Sequence, residues 1–193
     1  MTKKANHPPI YLALIHYPVT NAHGEEVCTS ITPMDLHDIA RAAKTYGLTG
    51  YFVVCPVESQ RKLAQRIMDH WLKGPGGELN ETRKQAFEIV DLIEDLAQVQ
   101  LTIKEQTGKE PRLVATSAKE GEGRISFKEF RQQLSGLQDP VLLLFGTGWG
   151  MTEELLQQAQ DFLEPIRGGG DGSYNHLSVR AAVAIILDRL LGS

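Results

Sequence analysis

The sequence predicts an α/β domain on a mostly parallel sheet with helices on both faces. Short apolar runs alternate with longer amphipathic stretches along all 193 residues, which is the pattern of strands feeding crossover helices. Gly50 to Val54 and Val141 to Phe145 are almost continuously apolar, as strands covered on both faces are. A chain of this length can bury a core without disulfides or structural metal. Residues 1–193 therefore read as a single domain.

Ile10 to Tyr17 is the first strand. Thr2-Lys3-Lys4 ahead of it faintly resembles a signal peptide, but Pro8 and Pro9 intervene and no small-residue cleavage site follows His16, so a buried strand is expected. The first helix opens with Thr32 as N-cap, Pro33 at the first helical position and Asp35 in the first turn, and Tyr46-Gly47 closes it. Gly50 to Val54 is the second strand, Ser59 to Lys73 a helix, Lys73 to Gly77 a loop, and Asn80 caps a short helix. Phe87 to Ile93 reads as a third strand, with a helix as the competing reading. Gln98 to Gln106 is a helix, Arg112 to Thr116 a strand, Ser126 to Leu134 a helix capped by Ser126, Val141 to Phe145 a strand, and Thr152 to Gln160 a helix. A short segment, Phe162 to Ile166, precedes a glycine run, and Leu177 to Leu191 forms an amphipathic terminal helix.

Hydrophobic residues make up 41% of the chain and charged residues 23%, and no apolar run approaches the roughly 18 residues that span a membrane. Cys28 and Cys55 have neither CxxC spacing nor a nearby histidine cluster, so no disulfide framework or metal site is expected, and the reducing cytoplasm fits best. His37 and Asp38 lack a third partner at metal-ligand spacing and are expected to be solvated or locally bonded. With a formal charge of −4, the chain would have to meet a nucleic acid through a local basic patch.

Ligands of open α/β sheets bind beyond the carboxyl ends of strands, and three segments there share one character. Thr116-Ser117-Ala118-Lys119 and Gly146-Thr147-Gly148-Trp149-Gly150 follow strands, and Arg167 to Asn175 precedes the last helix. Glycines let a backbone approach a ligand closely, and helix starts offer unpaired N–H groups. A nucleoside or an anion would suit such a site; the plain alternative for Gly146 to Gly150 is a tight strand-to-helix turn. The spacing G-x-G-x-G places Met151 where a dinucleotide fingerprint needs glycine, and the Gly108-Lys109 pair is followed by Glu110 and precedes a strand. These departures disfavour a nicotinamide oxidoreductase and a P-loop ATPase.

Leu142 to Gly150, then Leu163-Glu164-Pro165-Ile166, then Ser173 to Ala182 together resemble the cofactor-site signature of SPOUT-class RNA methyltransferases. With Leu14 to Pro18 and His37 to Arg41 the chain is similar, over nearly its whole length, to a small bacterial branch related to the catalytic domain of tRNA guanine-N1 methyltransferase. The resemblance implies a C-terminal trefoil knot, a homodimer, and S-adenosylmethionine held by Thr116, Ser117, Ala118, Phe145, Gly146, Thr147, Gly148, Gly150, Leu163, Ile166, Gly168, Tyr174, Asn175 and Leu177. Gly148 stands in the segment where better-known branches carry Glu, and Asn175-His176-Leu177-Ser178 is one residue longer than their Asn-Val-Ser.

Methyl transfer from a sulfonium requires alignment and, for an acceptor that carries a proton, a base. Asp171 is the candidate base and Arg167 the candidate cation beside it; a turn made by the Asp171 side chain is the competing reading. Asn175 is either a ligand contact or the N-cap of the last helix with Ser178 in its first turn, and Trp149 either stacks on a base or fills space. Candidate RNA contacts are Arg41 and Lys44, then Arg61, Lys62 and Arg66, then Arg124, Lys128 and Arg131, with Arg41 and Arg124 foremost. Transfer of a methyl group to structured RNA is the leading expectation, and a non-catalytic nucleoside- or RNA-binding module is the alternative.

Overall fold

A computed structural model describes residues 7–171 and 173–193; Thr2-Lys3-Lys4 and Gly172 lie outside the described residues. Strand β1 (Ile10–Ile15) leads into a small hairpin, β2 (Val19–Thr20) and β3 (Glu26–Val27), then α1 (Pro33–Thr45) and β4 (Gly50–Val54). Helices α2 (Glu58–Leu72), α3 (Pro75–Leu79) and α4 (Glu81–Phe87) precede β5 (Val90–Ile93) and α5 (Leu96–Thr107). The chain continues through β6 (Arg112–Ala115), α6 (Phe127–Leu134), β7 (Val141–Gly146), α7 (Glu153–Leu156), β8 (Asp161–Phe162) and α8 (Val179–Leu191).

The sheet runs β5-β4-β1-β7-β6-β8, and every ladder in it is parallel. Period-two alternation divides its side chains between two cores. Leu12, Leu14, Val53, Leu143 and Phe145 meet the helical layer of α1, α2, α4, α6 and α8, whereas Tyr11, Ala13, Ile15, Phe52 and Leu144 meet α5 and α7. From β1 the chain works outward to β5, then crosses to the other side and inserts β7 beside β1. The strand order therefore reverses between β1 and β7, the position where parallel sheets open a crevice for ligands.

Local signals placed most elements correctly. Thr32 caps α1 through Asp35 N, Asn80 caps α4 through Arg83 N, and Ser126 closes a reciprocal capping box with Glu129. Other boundaries differ from expectation. Pro75 starts a helical turn inside the expected loop, because its fixed φ and missing N–H suit a first helical position. Phe87 ends α4, so the third strand begins only at Val90. The helix expected to reach Gln160 stops at Leu156, since Gln160 bonds Leu113 through both its N–H and its side chain, at 3.0 and 2.7 Å, and steers the chain into β8. Cys28 and Cys55 are free thiols with sulfurs 3.8 Å apart. Burial, reinforced by the Cys55 contact, pushes the Cys28 thiol up to about 11. Among the described residues, no helix is long and apolar enough to cross a membrane, and no group of three His, Cys, Asp or Glu is placed to hold a metal.

Candidate functional site

Because β7, β6 and β8 are parallel neighbours, the three glycine-rich or small-residue loops leave the same edge of the sheet. Thr116 follows β6, with its N–H and hydroxyl both on the Leu144 carbonyl, at 3.1 and 2.8 Å. Leu163, past β8, donates its N–H to Ala115 at 3.0 Å, and its carbonyl accepts from Arg124 Nη1 at 3.1 Å. The Arg124 guanidinium also lies over the Phe162 ring. Glu164 accepts from Phe127 N at 2.9 Å, and Arg167 pairs with Glu120 at 3.0 Å. These bonds stitch the segment after β6 to the segment after β8. The Phe145 and Leu163 side chains are wholly buried in the core, so they shape this edge from below.

The loop after β7 owes its glycines first to the protein itself. A Cβ at Gly146 would lie 2.8 Å from Met151 N, and one at Gly148, whose φ is +58°, would lie 2.9 Å from the Thr20 carbonyl oxygen. That carbonyl accepts the Trp149 N–H at 3.0 Å, while Thr20 N donates to Gly150 at 2.9 Å. The β2–β3 hairpin therefore clasps the glycine loop. Gly148→Ala is expected to lower stability by about 2 kcal/mol, combining left-handed strain with displacement of a backbone hydrogen bond. Thermal melting should show a fall of roughly 4–8 °C, against no measurable change for Gly169→Ala, where a Cβ meets nothing within 4 Å.

The third loop is closed by one side chain. Asn175 accepts the Gly168 N–H at 3.1 Å and donates Nδ2 to the Ile166 carbonyl at 2.8 Å. The N-cap reading of Asn175 is thereby corrected: Ser178 caps α8, with its hydroxyl on Ala181 N at 3.3 Å. Asp171 Oδ1 accepts from the Ser173 hydroxyl at 2.6 Å and the Ser173 N–H at 2.9 Å, and these bonds hold its carboxyl below the usual range. Tyr174, 78% exposed, and Leu177 leave apolar surface open beside the loop.

Sequence reasoning missed the device behind the glycine loop. His16 follows β1 and is fully buried; its Nδ1 lies 3.0 Å from Thr29 Oγ1, which meets Thr147 Oγ1 at 2.5 Å. Thr147 Oγ1 donates in turn to the Ile15 carbonyl at 3.0 Å. Beside it, Arg180 joins α8 to α1 through the buried Asp35, at 3.1 Å, and Asp38, at 3.4 Å. Of the candidate basic residues, Arg61 is occupied with the Cys55 carbonyl, and Arg131 with the Arg189 and Gly192 carbonyls behind α8. Lys62 pairs with Glu58. Arg41 is exposed on α1, away from the cleft described next, whereas Arg124 lines it.

A cleft of about 660 Å³ opens between the hairpin and the first two loops. Thr20, Asn21 and Glu26 form one side, Thr116, Ser117, Lys119 and Arg124 another, and Trp149, Gly150 and Glu153 a third.

The sequence matches, over residues 9–192, a family described as SAM-dependent RNA methyltransferase. It is 43% identical over 183 residues to a tRNA (guanine-N(1)-)-methyltransferase of Oleidesulfovibrio alaskensis, covering 95% of this chain and 42% of that protein. The chain thus spans less than half the length of that relative. An uncharacterized protein of Aquifex aeolicus is 40% identical over 181 residues, covering 94% of this chain and 87% of its own. In fold, the chain is similar to the SpoU methyltransferase AviRb of Streptomyces viridochromogenes, solved in complex with AdoMet, with a TM-score of 0.60 at 16% identity over 96% of this chain and 57% of that one.

Proposed function

Since the chain belongs to the family of SAM-dependent RNA methyltransferases, we propose that it transfers the methyl group of S-adenosylmethionine to a guanine of tRNA, as a single knotted catalytic domain that pairs as a homodimer. The observation that carries the reading is the convergence of three loops at the carboxyl ends of three adjacent parallel strands, β7, β6 and β8. The residues there fit the cofactor. Ser117 offers a hydroxyl, Gly168 to Gly170 offer exposed backbone, and Ile166, Tyr174 and Leu177 offer apolar surface for an adenosyl group. Thr116, Ala118, Gly146, Thr147, Gly148 and Gly150 set the backbone course around them, with Phe145 and Leu163 as the floor.

When bound, the cofactor supplies an electrophilic methyl on a sulfonium. The chain's own residues have to hold the acceptor in line and take a proton from it. Asp171 is the proposed base: Ser173 fixes Oδ1 and keeps the carboxylate ionised at neutral pH, leaving Oδ2 to accept the proton. Arg167, tied to Glu120 at 3.0 Å, bridges the first and third loops.

Titration calorimetry with S-adenosylmethionine, followed by incubation with labelled cofactor and a tRNA transcript, tests the proposal. Binding and label transfer are expected. Binding without transfer would favour a non-catalytic module, and failure to bind would remove both readings. Asn175→Ala, which opens the third loop by deleting two hydrogen bonds, is expected to weaken cofactor binding about 10-fold. Calorimetry should show this with the melting temperature nearly unchanged, because Asn175 is exposed.

A further inference from the structure

We propose that the cleft between the hairpin and the first two loops receives the acceptor guanine, turned out of its RNA, with Trp149 as its stacking platform. The inference rests on the methyltransferase reading and gives the substrate a place. Trp149 does not fill space: its side chain is 59% exposed on the cleft wall. Its backbone, by contrast, is fixed. The N–H is bonded to Thr20, and the neighbours Gly148 and Gly150 hold φ values of +58° and +105° that glycine adopts without strain. An aromatic ring presented by a rigid backbone loses little freedom when a base stacks on it, and such stacking is effective for any base.

Position and chemistry make the choice narrower. Thr116, Ser117 and Gly150 belong both to the cleft wall and to the proposed cofactor loops, so a base in the cleft lies next to the methyl donor, as in-line attack over roughly 3–3.5 Å demands. A volume of about 660 Å³ is ample for one nucleoside. Glu26 and Glu153 bring carboxylates to its rim, and Tyr17 orients the first through a 2.6 Å bond to Oε1. A carboxylate there accepts from the 2-amino group of guanine, which adenine lacks, and leaves N1 and its proton for the base and the methyl donor. Lys119 and Arg124 on the opposite wall suit the flanking phosphates. A duplex or stacked loop would have to release the base, as enzymes that act on bases require.

The test uses the full chain saturated with S-adenosylhomocysteine, with 5′-GMP and 5′-AMP as probes in calorimetry. GMP is expected to bind more tightly than AMP. Trp149→Ala should weaken GMP roughly 10- to 100-fold and lower kcat/KM for tRNA similarly, while Trp149→Phe restores most of both. S-adenosylmethionine affinity should stay within twofold in either variant. A parallel loss of cofactor affinity would place the indole against the cofactor and overturn the proposal. So would unchanged GMP binding in Trp149→Ala, or equal affinity for GMP and AMP. A wild-type chain that fails to bind S-adenosylmethionine would instead remove the methyltransferase reading, a failure that the nucleotide titrations do not imitate.

Discussion

Asp171→Asn is expected to lower the turnover of methyl transfer by about 100-fold, the loss that follows removal of a positioned proton acceptor, with cofactor affinity unchanged. The substitution isolates charge from shape. Oδ1 of the native carboxylate accepts from both the N–H and the hydroxyl of Ser173, and an amide oxygen can accept the same two bonds, so the turn survives. What disappears is the capacity of the second oxygen to take a proton. The Ser173 bonds hold the Asp171 carboxyl low, which keeps it ionised at neutral pH at some expense of basicity. The rate should therefore plateau across the neutral range, without an acidic limb near pH 6. Single-turnover rates for wild type and Asp171→Asn, from pH 5 to 8, measure both effects. Equal rates in the two proteins would assign the carboxylate to the turn alone.

The sequence disclosed those parts of the fold that local chemistry specifies. Thr32, Asn80 and Ser126 are caps whose partners lie three residues away, and Gly50 to Val54 is apolar because helices cover both of its faces. Long-range bonds were not legible. Asn175 has the composition of a cap, but Ser178 wins that role, and Asn175 turns back seven and nine residues to Gly168 and Ile166. The β2–β3 hairpin has strands of two residues each, too short for an alternating pattern. Its one local sign was the Asn21 to Gly24 turn, where the Asn21 side chain accepts from His23 N and Glu25 N. With the hairpin missed, the sequence offers only a ligand or a tight turn as the reason for Gly148, whereas its immediate neighbour is the Thr20 carbonyl. The cleft was hidden for the same reason, since one of its walls is that hairpin.

His16 joins the buried edge of the site to the pH dependence of the whole fold. Burial lowers its pKa from 6.5 to about 4, only partly opposed by the Asp35 charge. Its Nε2 is buried without a partner, so a protonated ring would place an unsatisfied donor and a charge beside Thr29 and Thr147. The unfolded chain binds this proton at the ordinary histidine pKa, so between about pH 6.5 and pH 4 it holds more protons than the folded chain. Stability contributed by neutral His16 is full above pH 6.5, declines as pH falls, and is lost by about pH 4. Its size is about 3 kcal/mol. Burial and the Arg83 charge lower His37 as well, and the effect on stability has the same sign. Urea midpoints should be flat from pH 7 to 8 and fall steadily below pH 6.5, while the assigned His16 imidazole resonance shows no titration until about pH 4. A His16 resonance titrating near 6.5 would remove the explanation. Because Thr29 and Thr147 bridge His16 to the glycine loop, protonation of the folded chain should loosen the hairpin clasp, and cofactor affinity is expected to fall only as pH approaches about 4, below most of the interval in which stability declines.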